Sequence, residues 1–224
     1  MAKFADIKRY PNVIENVNPR EPKLSNFESE DLHINGQWSA YLFKNDQPLV
    51  LELACGRGDY TLALARTYPE KNFLGVDVKG NRIWTGAKTA LEEGIPNAAF
   101  FRTRIEQLPL FFAPAEVSEV WITFPDPFLR ESKENRRLTA APFLDRYRQL
   151  CAPDTIFHLK TDDDTLYQYS MEVLSQYPGA EIIYHNDNIY AGDLAYPELA
   201  FKTHYEVQHL QKGRTIKYIR FALR

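Results

Sequence analysis

The chain has 224 residues, a length that suits one domain with appended segments. Its composition, 44% hydrophobic, 13% aromatic and 25% charged, excludes wholesale disorder, a collagen-like repeat and a coiled-coil rod. A formal net charge of −3 excludes a protein that holds nucleic acid through bulk charge alone.

The first forty-eight residues make a poor core segment. Pro11, Pro19, Pro22 and Pro48 interrupt them, and little periodicity is left between. Residues 1–48 read as a partly flexible N-terminal arm with room for one short helix, and residues 49–224 as the domain proper. From residue 49 the pattern changes. LVLELA at 49–54 is a short apolar run that stops at Cys55-Gly56-Arg57-Gly58, and Tyr60, Leu62, Leu64, Ala65 and Tyr68 follow with helical spacing. NFLGVDV (72–78), AAFFRT (98–103), VSEVWITF (117–124) and TIFHLK (155–160) read as further strands. Helices are predicted over 83–91, 140–150 and 164–176. Continuous apolar runs separated by helices predict an α/β fold, a doubly wound and mostly parallel sheet covered on both faces. EIIYHN (181–186) and TIKYIRFAL (215–223) predict a C-terminal antiparallel closure.

No apolar run approaches the roughly 20 residues of a membrane span. The first ten residues carry Lys3, Asp6, Lys8 and Arg9 in place of an apolar signal stretch, so a cytoplasmic protein is expected. Cys55 and Cys151 lack Cys-x-x-Cys or Cys/His companions, and the five histidines lack ligand spacing. Neither a disulfide scaffold nor a metal site is expected.

In such folds function gathers at the C-terminal ends of the strands. The first end carries Glu52 and then Gly56 and Gly58, whose missing Cβ atoms permit strained angles and close approach of a ligand. Asp77 closes the second strand, where a carboxylate can accept both hydroxyl protons of a ribose. Glycines at a strand–helix turn also serve simple sterics, and the dinucleotide fingerprint asks for a third glycine where this chain has Thr61. The fourth strand ends in Phe124-Pro125-Asp126-Pro127-Phe128. Two prolines fix the backbone around one aspartate, giving either a rigid turn or a presented carboxylate. Arg130, Lys133, Arg136 and Arg137 follow, and residues 130–148 hold six basic against three acidic residues. Such a run is a solvated helix face or a surface for a polyanion.

Together these residues resemble the tRNA (guanine-N7-)-methyltransferases, which use S-adenosylmethionine. The resemblance runs from about residue 49 to the C-terminus. It adds Arg136-Arg137-Leu138-Thr139, Lys160-Thr161-Asp162 and Thr203-x-Tyr205-Glu206 to the motifs above. It implies that Glu52, Gly56, Gly58, Asp77 and Asp126 bind the cofactor, with Arg104 at the place of the adenine contact. Asp126 would be the catalytic residue, while Arg130, Asp162, Thr203 and Glu206 would face the RNA. The basic run adds Arg136 and Arg137 as phosphate contacts. The chain departs from the family at Ala54, usually glycine, and at Arg104, usually an acid. Phe128 stands for tryptophan, Arg130 for lysine, and Glu131, Glu134 and Asn135 dilute the basic run. The implied partner is tRNA, methylated in its variable loop by a monomer or homodimer without membrane or metal. Guanine N7 offers a free lone pair, so the chemistry asks for alignment and charge stabilisation and not for a base. Two other readings stand beside it: a non-catalytic RNA-binding relative and an NAD-dependent oxidoreductase.

Overall fold

A computed structural model of the chain describes residues 6–16 and 18–224. Three short strands come first, β1 (Val13–Glu15), β2 (Leu24–Ser25) and β3 (Asp31–Leu32). The alternating series follows: β4 (Leu49–Leu53), α1 (Asp59–Thr67), β5 (Asn72–Asp77), α2 (Gly80–Glu92) and β6 (Ala98–Arg102). It continues with β7 (Val117–Thr123), α3 (Ala141–Tyr147), β8 (Cys151–Thr161) and α4 (Asp164–Gln176). The tail holds β9 (Ala180–Asn186), α5 (His204–Gln211) and β10 (Lys217–Leu223).

All ten strands form one sheet in the order β3-β2-β1-β6-β5-β4-β7-β8-β10-β9. From β1 to β8 neighbouring strands run parallel, while β10 lies antiparallel to both β8 and β9. The expected doubly wound sheet with its antiparallel closure is therefore present.

Strand alternation explains the unbroken apolar runs. Leu49, Leu51 and Leu53 of β4 belong to one core, with Phe143 and Leu144 of α3 and Leu166 and Leu174 of α4. Val50 belongs to the other core, with Leu62 and Leu64 of α1 and Ile83 and Ala87 of α2. Both faces of the central strands are covered, so neither can be polar.

The N-terminal segment departs from expectation. Ile14, Leu24, Ile34 and Trp38 all lie in the first core, and Trp38 is fully buried. Its ring stacks on Phe112 at 4.8 Å, and its Nε1 donates to the carbonyl of Phe111 at 2.8 Å. The reading of a poor core segment is corrected at these residues. Strands of two or three residues are too short to show a period, and each hides only one or two apolar side chains.

Candidate active site

The chain order reverses at β4: β5 and β6 are laid to one side of it, β7 and β8 to the other. Loops leaving β4 and β7 must diverge there, which opens a crevice at the strand ends. A cleft of about 320 Å³ occupies that place.

On the β4 side the loop is tightly wound. Ala54, Gly56 and Gly58 all have positive φ, at 59°, 57° and 76°. A Cβ on Gly58 would stand 2.5 Å from the Phe100 ring, so this glycine is required by packing against β6 as well as by its angle. At Gly56 a Cβ would meet only the Ala54 carbonyl oxygen at 4.0 Å, and its N–H donates to Asp77 Oδ2 at 3.0 Å. Asp77 Oδ1 accepts the Lys79 N–H at 2.8 Å. Burial pushes the Asp77 carboxyl above its ordinary value, opposed by these two N–H groups and by Arg82 and Lys79. Each oxygen keeps a lone pair for a hydroxyl.

Glu52 lies beneath the cleft and does not line it. It is 3% exposed; its carboxylate accepts the Thr61 N–H at 2.8 Å and meets the hydroxyls of Thr61 and Thr123. Burial raises its pKa to about 7, against the lowering effect of those hydrogen bonds. Expected from sequence as a cofactor contact, Glu52 in this structure ties α1 to β4 and β7 through Thr61 and Thr123.

The β7 side carries the Pro-Asp-Pro turn. Phe124 and Phe128 flank it with φ of 49° and 44°, a conformation that side chains with a Cβ rarely adopt. Strain of this kind, on the order of 1–3 kcal/mol per residue, persists only where surrounding structure holds it. Arg137 does the holding. It is 4% exposed, its Nε donates to the Pro127 carbonyl at 2.9 Å and its Nη2 to the Phe128 carbonyl at 3.2 Å. Its guanidinium covers the Tyr169 ring at 4.2 Å. Arg137 therefore cannot reach a phosphate, and that expectation is corrected. Arg136 turns the other way, exposed, over the Phe128 ring at 5.2 Å and into the cleft wall. Asp126, at the apex, is exposed and lines the cleft. Among the described residues its carboxylate makes no hydrogen bond or ion pair. Arg130 is exposed at the start of the turn Glu131–Arg136.

The RNA-facing residues implied by the resemblance divide in the same way. Thr203 caps α5 by accepting the Glu206 N–H at 3.1 Å. Glu206 is fully buried: one oxygen accepts from Lys160 Nζ at 2.9 Å and the other from the Tyr190 hydroxyl at 2.6 Å. Lys160 also donates to the carbonyls of Leu199 at 3.1 Å and Phe201 at 2.9 Å. Glu206 thus faces inward, a correction with a plain cause: the ammonium of Lys160, also buried, has to be neutralised. Asp162 pairs with Arg214 at 2.5 Å and lies 3.1 Å from His209.

Of the residues expected from sequence, Asp77, Arg104, Asp126 and Arg136 meet at the cleft. Lys79, Arg82 and Glu106 also line it and were missed. Lys79 and Arg82 follow Asp77 at the entry to α2, a position that inspection of the strand end could have singled out.

A family model described as "Putative methyltransferase" matches residues 46–219. A tRNA (guanine-N(7)-)-methyltransferase of Christiangramia forsetii is 44% identical over all of this chain and 97% of its own. The chain belongs to the tRNA (guanine-N(7)-)-methyltransferase family. A second member, from Bacteroides fragilis, is 43% identical over all of this chain and 85% of its own. Among solved structures, a mutant 16S rRNA (adenine(1408)-N(1))-methyltransferase with cosubstrate SAM, from Catenulisporales acidiphilia, matches with a TM-score of 0.55. It is 13% identical and covers 87% of this chain and 93% of that one, so it shows the fold, that of a class I methyltransferase. Membership of the methyltransferase family removes the oxidoreductase reading.

The donor set fits an adenosyl ligand. Asp77 offers two acceptors suited to a cis-diol, and Val78, 52% exposed, and Ile105 present apolar surface for a purine. Asp126 adds a second carboxylate to the wall of the same cleft.

Proposed function

We propose that the protein transfers the methyl group of S-adenosylmethionine to N7 of a guanine in tRNA. One observation supports this above the rest. Asp77, at the end of β5, and the strained turn carrying Asp126, after β7, open into one cleft at the switch point. When bound, S-adenosylmethionine supplies a methyl group made electrophilic by its sulfonium. Asp77 holds the ribose hydroxyls, and the open side of Gly56 leaves room for close approach.

Guanine N7 attacks with an in-plane lone pair, so no residue has to take a proton. Positive charge then develops on the purine. The Asp126 carboxylate, held at the apex of a turn that Arg137 braces, stands ready to stabilise it with little reorganisation. Arg130 and Arg136, exposed on the turn after β7 and on the cleft wall, steer and hold the phosphate backbone. A tRNA substrate places the work in the cytoplasm. Among the described residues no helix is long and apolar enough to cross a membrane.

The test is nucleoside mass spectrometry of tRNA incubated with the protein and methyl-labelled S-adenosylmethionine. Label in 7-methylguanosine is the expected result. Label in another nucleoside, or none, refutes the proposal.

A further inference from the structure

The cleft follows a row of strand ends whose order the sheet sets as β6, β5, β4, β7. Asp77 ends β5, inside the row, and Asp126 follows β7, at one end of it. A donor with its ribose on Asp77 and its methyl beside Asp126 uses the span from β5 to β7. Its base must then extend the other way, past the end of β6. That end brings Thr103, Arg104, Ile105 and Glu106 into the cleft wall.

Adenine differs from other purines at position 6, where its amine donates hydrogen bonds and needs an acceptor. Most polar side chains at this end cannot provide one. Arg104 is a donor only. Thr103 is 1% exposed, and its hydroxyl accepts from Asn16 Nδ2 at 3.0 Å. Gln107 accepts from Asn16 at 2.9 Å through Oε1 and donates to the Pro19 carbonyl at 2.9 Å through Nε2. Glu106 remains. It is exposed, it lies in the first turn of the helical segment Ile105–Leu110, and among the described residues its carboxylate makes no hydrogen bond or ion pair.

We propose that Glu106 accepts the adenine amine of the methyl donor and thereby selects an adenosyl ligand over its 6-oxo counterpart. This supplies the acceptor that Arg104, two residues earlier, cannot, and it rests on the donor reading given above. Arg104 has the opposite preference, because a guanidinium would donate to a 6-oxo group.

Calorimetric titration with S-adenosylhomocysteine and with S-inosylhomocysteine, its deaminated analogue, tests the assignment. The parent protein should bind the adenosyl ligand about tenfold or more tightly than the inosyl ligand, the ratio set by one hydrogen bond to a charged acceptor. Glu106→Gln should bring that ratio close to one, since an amide accepts from an amine and donates to a carbonyl alike. Glu106→Lys, a pure donor, should reverse it. Glu106 is exposed and unbonded, so melting curves of both variants should match the parent. A parent ratio retained in both variants overturns the assignment and leaves the donor reading standing. Failure of the parent protein to bind either ligand overturns the donor reading, and this proposal with it.

Discussion

Arg137→Met separates a brace from a phosphate contact. The substitution keeps much of the apolar stem but removes the donors to the carbonyls of Pro127 and Phe128 and the cation above the Tyr169 ring. A hydrogen bond from a charged donor contributes about 1.5–3 kcal/mol, and a cation–π contact about 0.5–2 kcal/mol. These contacts share one rigid group and do not add, so the expected loss is about 3 kcal/mol. Urea unfolding followed by tryptophan fluorescence reads this as a lower midpoint at unchanged slope. The salt dependence of tRNA binding reads the other half. Arg137→Met should leave its log–log slope as it is, whereas Arg136→Met, at an exposed site, should lower the slope by about one and leave stability alone. Methylation should fall in the Arg137 variant because Asp126 is no longer held. If Arg137→Met keeps the parent midpoint and flattens the salt dependence, the brace is wrong and both arginines contact phosphate.

Asp77→Ala should weaken S-adenosylhomocysteine binding by about 1.5–3 kcal/mol in a calorimetric titration; unchanged affinity would remove Asp77 from the site. Glu52 titrates near 7 in the fold against an ordinary 4.5, so the fold favours its protonated form. Its contribution to stability is therefore greatest below about 4.5 and falls as pH rises to about 7, and Glu52→Gln should abolish that dependence in unfolding curves. Lys160→Met and Glu206→Leu should each cost about 3–5 kcal/mol by stranding a buried charge, and the double variant should recover most of the loss. Equal losses that simply add would show that the pair is not coupled.

Central strands were legible because both of their faces are buried, which turns alternation into unbroken apolar runs. Asp77 and Asp126 were legible because each directly follows such a run, and strand ends are where ligands bind. Arg136 and Arg137 were not separable: adjacent and identical in sequence, they differ only in that one turns under the Pro-Asp-Pro turn toward Tyr169. Glu206 was hidden in the same way, since its inward course depends on Lys160, forty-six positions earlier. The stretch 204–211 forms α5 although most of its residues are polar, because Thr203 caps it and the His204 N–H donates to Asp59 at 2.8 Å. Trp38 marks the limit for the N-terminal segment, as its burial depends on Phe111 and Phe112 and on no local pattern.

Single-turnover formation of 7-methylguanosine in tRNA by Asp126→Asn, beside the parent protein, tests the central claim most directly. The asparagine keeps the shape of the turn and removes the charge. Loss of a preorganised electrostatic group lowers turnover on the order of 10²-fold, and that loss is expected here with tRNA and donor affinities little changed. Parent-rate formation of 7-methylguanosine by Asp126→Asn, and equally by Asp126→Ala, would reduce Asp126 to a turn residue and contradict the account.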